Sequence, residues 1–477
     1  MNTILLLLFM ITIFPQQKGD CLYIGRFLYT LNISRTFDNL TVSTPDGFYV
    51  YDVLDHHLKI SYPVKEGVKY AVFINNKVYF ITLDNRFAIY DDFLKKIEYF
   101  GSLRNPKAIG TNGDVVIIID GNEKKFYSSE GIELFGFTDT FGMFWCGENI
   151  NLDRDNKNLI FLTPYRKYNQ HVGWSEYTVF YPWMNLLYVG SWGDGISIYD
   201  MESKIEIDSL KIGFYENSYR EIVPQNQNIW VIAENSLTLL KHDSFKTFVA
   251  HKTPFLNTAG FIGGASEADK AYFLSEDGKI AIYKNGEWAT LRTGIVHPEA
   301  IFAKKGLLYI SNANQIKIFG ERGNVKEFNI SGINEISSLG DFIVLKGEEN
   351  FLFLKNDSVF LFQDSLGYLS LFPLRISKYN PSRTIISTLQ GIIVIEKDFN
   401  YTYLIPPFNP MYCLISGGEE KFAFAVNNTV WIYHIRNSTW ERFNIPTTSQ
   451  VLSIYLKDDK ILFILTSQGL FTLRIDD

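Results

Sequence analysis

A repeat constrains this chain more than any other feature. An apolar strand, a turn rich in Gly, Asn, Asp or Ser, and a second strand that often ends in an aromatic recur along its whole length. The copies include NLTVSTPDGFYVY (39–51), KVYFITLDNRFAIY (77–90), DVVIIIDGNEKKFY (114–127), LLYVGSWGDGISIYD (186–200) and NIWVIAENSLTLL (228–240). Later ones include KAYFLSEDGKIAIY (270–283), LLYISNANQIKIF (307–319), KFAFAVNNTVWIY (421–433) and KILFILTSQGLFTL (460–473). With a degenerate copy starting at NLIFLTP (158–164) there are 12 units, their first strands about 38 residues apart. Alternation in IAIY, IKIF and ISIY puts every second side chain on one face. Gly47, Gly195, Gly278, Gly391 and Gly469 stand where the turn enters the second strand, a place that often demands positive φ. A further strand flanks most hairpins on each side, as in KIEYFG (96–101) and NVKEFNI (324–330). Four strands at this period make a β-propeller blade.

Twelve blades exceed the roughly 4–8 of one ring, so the expectation is two tandem propellers. Six blades each is the simplest arithmetic; a 7 + 5 split or a single ring stays open. The domains predicted are a signal peptide over 1–20, a first propeller over 21–252 and a second over 253–477. Pro254 and the polar residues around it interrupt the rhythm there. The last unit ends without an obvious fourth strand, which residues 22–33 can supply by pairing the two ends of the chain.

Composition agrees with an all-β fold. Aromatics reach 16% and hydrophobics 46%, which suits half-buried pleated strands and excludes disorder over most of the length. A net charge of −7 without a basic block argues against nucleic acid as a partner. Three cysteines cannot build a disulfide framework or a zinc ribbon. Residues 4–14, ILLLLFMITIF, are too short to span a bilayer and fit the apolar part of a secretory signal. Export is therefore expected, with no transmembrane span in the mature chain.

The unit LLYVGSWGDGISIYD resembles the two-component regulator propeller and YVTN-like families. Tyr188, Val189, Gly190, Ser191, Gly195, Ile196 and Tyr199 occupy the positions of their Leu-aromatic-Val-Gly-Thr…Gly-aliphatic-x-aliphatic-Tyr-Asp core. The resemblance implies a propeller that often serves as the extracellular sensor of a membrane receptor. The other units keep the hydrophobic rhythm without the glycines, and the Gly-His…Trp-Asp signature of WD40 repeats is absent.

Catalytic and metal motifs are mostly rejected. Gly190, Gly193 and Gly195 lead into a strand rather than a helix, so they form a turn and not a phosphate loop. His56 and His57, adjacent on a strand, point to opposite faces. Asn151, Asp153 and Asp155 alternate as in a calcium loop, but Asn156 and Leu162 stand where Gly and Glu are needed. No cofactor or metal is expected. One stretch breaks the rhythm: 163–183 lies in a region holding four of the eight tryptophans, Trp145, Trp174, Trp183 and Trp192. Tyr165, Arg166, Tyr168, His171, Trp174 and Trp192 are its candidate binding residues, aromatics with a few polar groups suited to a protein or glycan contact; packing of these rings between blades is the alternative. The functional expectation is a non-enzymatic, exported propeller that binds a protein or glycan through its loop face. Alternatives are a polysaccharide hydrolase or lyase and an envelope scaffold subunit. The enzyme reading requires charged residues at strand beginnings converging on one axis, and in the repeat alignment those positions look mostly apolar or small.

Overall fold

The computed structural model describes residues 21–25, 30–54, 58–135, 142–147, 150–152, 159–161, 177–191, 195–203, 205–210, 214–216, 218–241, 244–250, 253, 256, 260–320, 323–347, 351–356, 358–361, 374–380, 382–445 and 449–475. Among them there is no α-helix; a short 3-10 turn stands at Pro410–Tyr412. The strands form twelve antiparallel sheets: ten of four strands, one of five and one of two. Every repeat unit read from the sequence falls in its own sheet. The degenerate unit is the two-stranded one, Ile150–Leu152 paired with Leu159–Phe161.

Position within a blade explains the sequence of each strand. Val115–Asp120 is buried at all six residues, whereas the outermost strand Lys96–Ser102 has no buried residue. A strand covered on both faces is apolar except where a polar group finds a partner, as Asp120 does in Lys125, and one at the rim need not be. Turns between the second and third strands share a device that the hydrophobic rhythm hides. The hydroxyls of Thr44, Ser275, Thr388 and Thr466 donate across the turn to the carbonyls of Gly47, Lys279, Gly391 and Gly469. All four residues are buried, so the hydroxyl satisfies a carbonyl that water cannot reach. Gly278 has φ +73°, as the turn reading predicts, and a Cβ there would lie 2.0 Å from the Ile295 carbonyl. Gly391 differs: its φ is not positive, and it is glycine because the Tyr403 hydroxyl would lie 2.5 Å from a Cβ.

Neighbour relations divide the sheets into seven and five. The innermost strands Tyr219–Gln225, Phe261–Glu267, Pro298–Lys304, Ile333–Leu339, Arg375–Ile376, Leu414–Gly417 and Val451–Lys457 each lie beside the next, and the last lies beside the first. The seventh blade takes its fourth strand from the other end of the chain. Cys21–Gly25 pairs antiparallel with Gly469–Arg474, from Cys21↔Leu473 to Gly25↔Gly469, the pairing expected for residues 22–33. It removes a free edge. In the five-sheet part Asn32–Thr36 lies beside Val68–Ile74, Phe144–Gly147 and Tyr177–Trp183, and Val68–Ile74 lies beside Pro106–Thr111. Serine hydroxyls tie blade to blade at the repeat spacing: Ser34 to the Ala71 carbonyl (2.7 Å) and Ser337 to that of Ser377 (2.5 Å). Tyr23 joins the two parts, its N–H donating to Ser61 Oγ at 2.8 Å while its ring packs 4.8 Å from Phe471.

Candidate binding cup on the ring axis

The first residues of the innermost strands do not follow simple alternation. In five of the seven ring blades the register shifts there, between Tyr219 and Glu221, Phe261 and Gly263, Pro298 and Ala300, Ile333 and Glu335, and Val451 and Ser453. Such a bulge sets two residues against one on the partner strand and re-aims a side chain. The skipped residues Arg220, Ile262, Glu299, Asn334 and Leu452 all line one cavity of about 290 Å³, to which all seven innermost strands contribute. Its charged lining is balanced: Arg220, Arg375 and Lys378 against Glu221, Glu299 and Glu335.

Two of the carboxylates are fully engaged. Glu221 takes the Lys378 ammonium on Oε1 at 2.5 Å and the Gly264 N–H on Oε2 at 2.9 Å. Glu335 takes the Arg375 guanidinium on Oε1 and the Ile376 N–H on Oε2, both at 2.8 Å. Glu299 and Arg220 stand exposed at the rim, Arg220 reaching Glu234 at 3.4 Å. The floor is closed by the fifth blade. After Ile376 its first strand ends, and Lys378 and Tyr379 reach inward to the second blade, where the Lys378 ammonium donates to the Gly264 carbonyl at 2.6 Å. Tyr379 packs edge-on to Tyr455 at 6.1 Å. Burial pushes its phenol well above the ordinary value, with the Glu221 charge adding to the effect, so it stays a neutral plug. The result is a mostly polar cup in which aliphatic side chains stand between a fixed ionic lattice and a charged, partly unpaired rim.

This corrects the expectation that the strand beginnings are mostly apolar or small. Apolar residues are frequent there, yet YREI, PEAI, INEI and LRIS each bring a charge to the axis. The hairpin rhythm hides them, because the bulge moves the first strand out of phase with it. The signal is a charged residue at the beginning of the strand that precedes the hairpin in four of the seven ring blades. No histidine lines the cup. The predicted site residues Tyr165, Arg166, Tyr168, His171, Trp174 and Trp192 lie outside the described residues, as do His56, His57, Asp153 and Asp155. Of the other two tryptophans in that region, Trp145 is buried with its ring over Gly110, and Trp183 stacks on Phe144 at 6.4 Å. Both are packing residues.

Radially arranged four-stranded blades with strand exchange between the chain ends define the class: the chain is a β-propeller repeat protein. No protein-family model matches the sequence, and no curated protein matches it. Among solved structures it is similar to a streptogramin B lyase at 13% identity and TM-score 0.47, covering 55% of this chain and 94% of that one. It is similar to the extracellular domain of a one-component system from B. thetaiotaomicron at 13% identity and TM-score 0.45, covering 92% and 75%. PorZ, a surface component of the type-IX secretion system of Porphyromonas gingivalis, aligns at 13% identity and TM-score 0.44, covering 92% and 73%.

Proposed function

We propose that the chain is an exported, non-enzymatic propeller that receives a protein segment in the axial cup of its seven-bladed ring. The observation that carries this reading is the balanced charge of the cup, three cations and three carboxylates in a mostly polar lining. A net-neutral, strongly dipolar surface favours a partner with charges of both signs, and arginine at the rim of a concave site is a common anchor for such contacts. A glycan is favoured less, because the lining holds one aromatic ring, Tyr379, and that ring is half-buried and packed edge-on to Tyr455. The absence of catalysis is supported by Glu221 and Glu335, whose oxygens are all held in hydrogen bonds and are poorly placed to exchange protons. Export is supported by the apolar run 4–14. Among the described residues no helix is long and apolar enough to cross a membrane. We divide the propellers between 210 and 219, because the blade starting at Tyr219 neighbours the last blade of the ring.

A polysaccharide-acting enzyme is the second reading, and one observation favours it: Glu299 is a carboxylate at the rim with no salt bridge among the described residues. The test is capture from an envelope extract in parallel with a glycan array and a reducing-end assay, using the wild-type chain, Arg220→Glu with Arg375→Glu, and Glu299→Gln. The expected result is one discrete protein captured by the wild type and lost from the double charge reversal. Capture that ignores the reversal overturns the site, and glycan cleavage abolished by Glu299→Gln overturns the non-enzymatic reading.

A further inference from the structure

A second cavity, of about 490 Å³, opens between the third and fourth blades of the ring. Four of its twelve lining residues are lysines (Lys304, Lys305, Lys326 and Lys355) and one is an aspartate, Asp341. The rest are chiefly apolar, among them Leu307, Tyr309, Ile318, Ile343 and Leu354. Lys304 and Glu299 lie on one strand, five residues and about 17 Å apart, so this cleft stands at the end of the ring away from the cup.

Asp341 is the one carboxylate in this lining. Asp341 is held by Lys305 at 2.7 Å, and both side chains are well exposed. Among the described residues Lys304 reaches no carboxylate; its ammonium donates to the carbonyls of Gly340 (2.5 Å) and Phe342 (3.0 Å). Lys355 rests over the Phe342 ring at 4.6 Å, and Lys326 over Phe328 at 4.8 Å. The nearby Glu267 is committed to the backbone N–H groups of Lys305 and Gly306. Burial, reinforced by the neighbouring Lys305, lowers the Lys304 pKa against the pull of Asp341 and Glu267. Four lysines against one aspartate over an apolar floor, in a chain of net charge −7, make this cleft a locally positive place that favours an anion.

We propose that this interblade cleft binds an amphiphilic anion, a molecule with a phosphate or carboxylate head held by Lys305 and Lys355 and an apolar body lying on Leu307, Ile343 and Leu354. The inference is independent of the partner proposed for the axial cup. The test is calorimetric titration of the full chain with decyl phosphate, inorganic phosphate and decyltrimethylammonium, at low and high salt. Decyl phosphate is expected to bind at least tenfold more tightly than inorganic phosphate and to weaken as salt rises. Lys305→Glu with Lys355→Glu should lower its affinity at least tenfold, and Lys305→Arg with Lys355→Arg should retain it. Both lysines are exposed, and a melting curve of each variant establishes that it is folded. Equal binding of decyltrimethylammonium removes the role of charge, and equal binding of inorganic phosphate removes the role of the floor. Unchanged affinity in the folded double reversal removes the site.

Discussion

In the seven-bladed ring the innermost strands bring Glu221, Glu299 and Glu335 together with Arg220 and Arg375 around an open cup. In the five-sheet part the corresponding strands Asn32–Thr36, Val68–Ile74, Pro106–Thr111 and Tyr177–Trp183 carry Arg35, Lys69 and Lys107 and no carboxylate at all. There the cations are absorbed by packing. Arg35 donates to the Tyr188 hydroxyl at 2.6 Å and lies over the Trp183 ring at 5.2 Å, while Lys69 donates to the Pro106 carbonyl at 3.0 Å. Seven strands spaced around an axis leave a cavity that ionic pairs can line. In the five-sheet part an aromatic pair and a backbone carbonyl take up the cations instead. The turns differ too. In the five-sheet part Phe37, Leu54, Phe93, Leu94 and Met184 stand exposed at turns joining first to second or third to fourth strands. The matching turns of the ring carry Asn226, Asp269, Asn285, Asp341 and Asp459.

Four substitutions break or sharpen this contrast. Trp230 is fully buried in the ring, donates to Gln225 Oε1 at 2.7 Å and packs edge-on to Phe273, Tyr283 and Trp288. Trp230→Ala should cost about 3–5 kcal/mol in urea unfolding, with hydrogen exchange rising in the ring blades first. Next comes Tyr23, the residue that touches both parts. Tyr23→Ala should cost about 2–4 kcal/mol and accelerate exchange in both 451–474 and 32–63; an effect confined to the ring would mean that the two parts are uncoupled there.

Asp120 tests the five-sheet part alone. Burial raises its pKa, but Lys125 at 2.7 Å and the N–H groups of Asn105 and Arg104 outweigh this, and the net shift is downward. A depressed folded pKa contributes stability that is present above the unfolded value near 3.8 and is lost as pH falls through it toward the folded value. Asp120→Asn should therefore cost about 2–3 kcal/mol at neutral pH and flatten the acid limb of the stability curve for that part. The smallest effect has the opposite sign. Met184 is exposed with φ +50°, so Met184→Gly should raise stability by about 0.5–1 kcal/mol, read as a shift in the unfolding midpoint.

Sequence alone determined the all-β class, the unit of four strands, the twelve repeats and the pairing of the chain ends. Each of these rests on local information: a period of two along a strand, turn residues at fixed offsets, and a spacing near 40. Even the degenerate unit at 158–164 was legible, since a shortened hairpin keeps its apolar strand. The division into seven and five blades was not, because blade count depends on which innermost strand packs beside which, over separations such as that between Tyr219–Gln225 and Val451–Lys457. The axial cup was hidden for the same reason. Glu221 and Lys378 stand 157 positions apart in the chain and 2.5 Å apart in space, brought together by a bulge at one strand and the early end of another. Neither event leaves a periodic trace, and closure of the ring decides both.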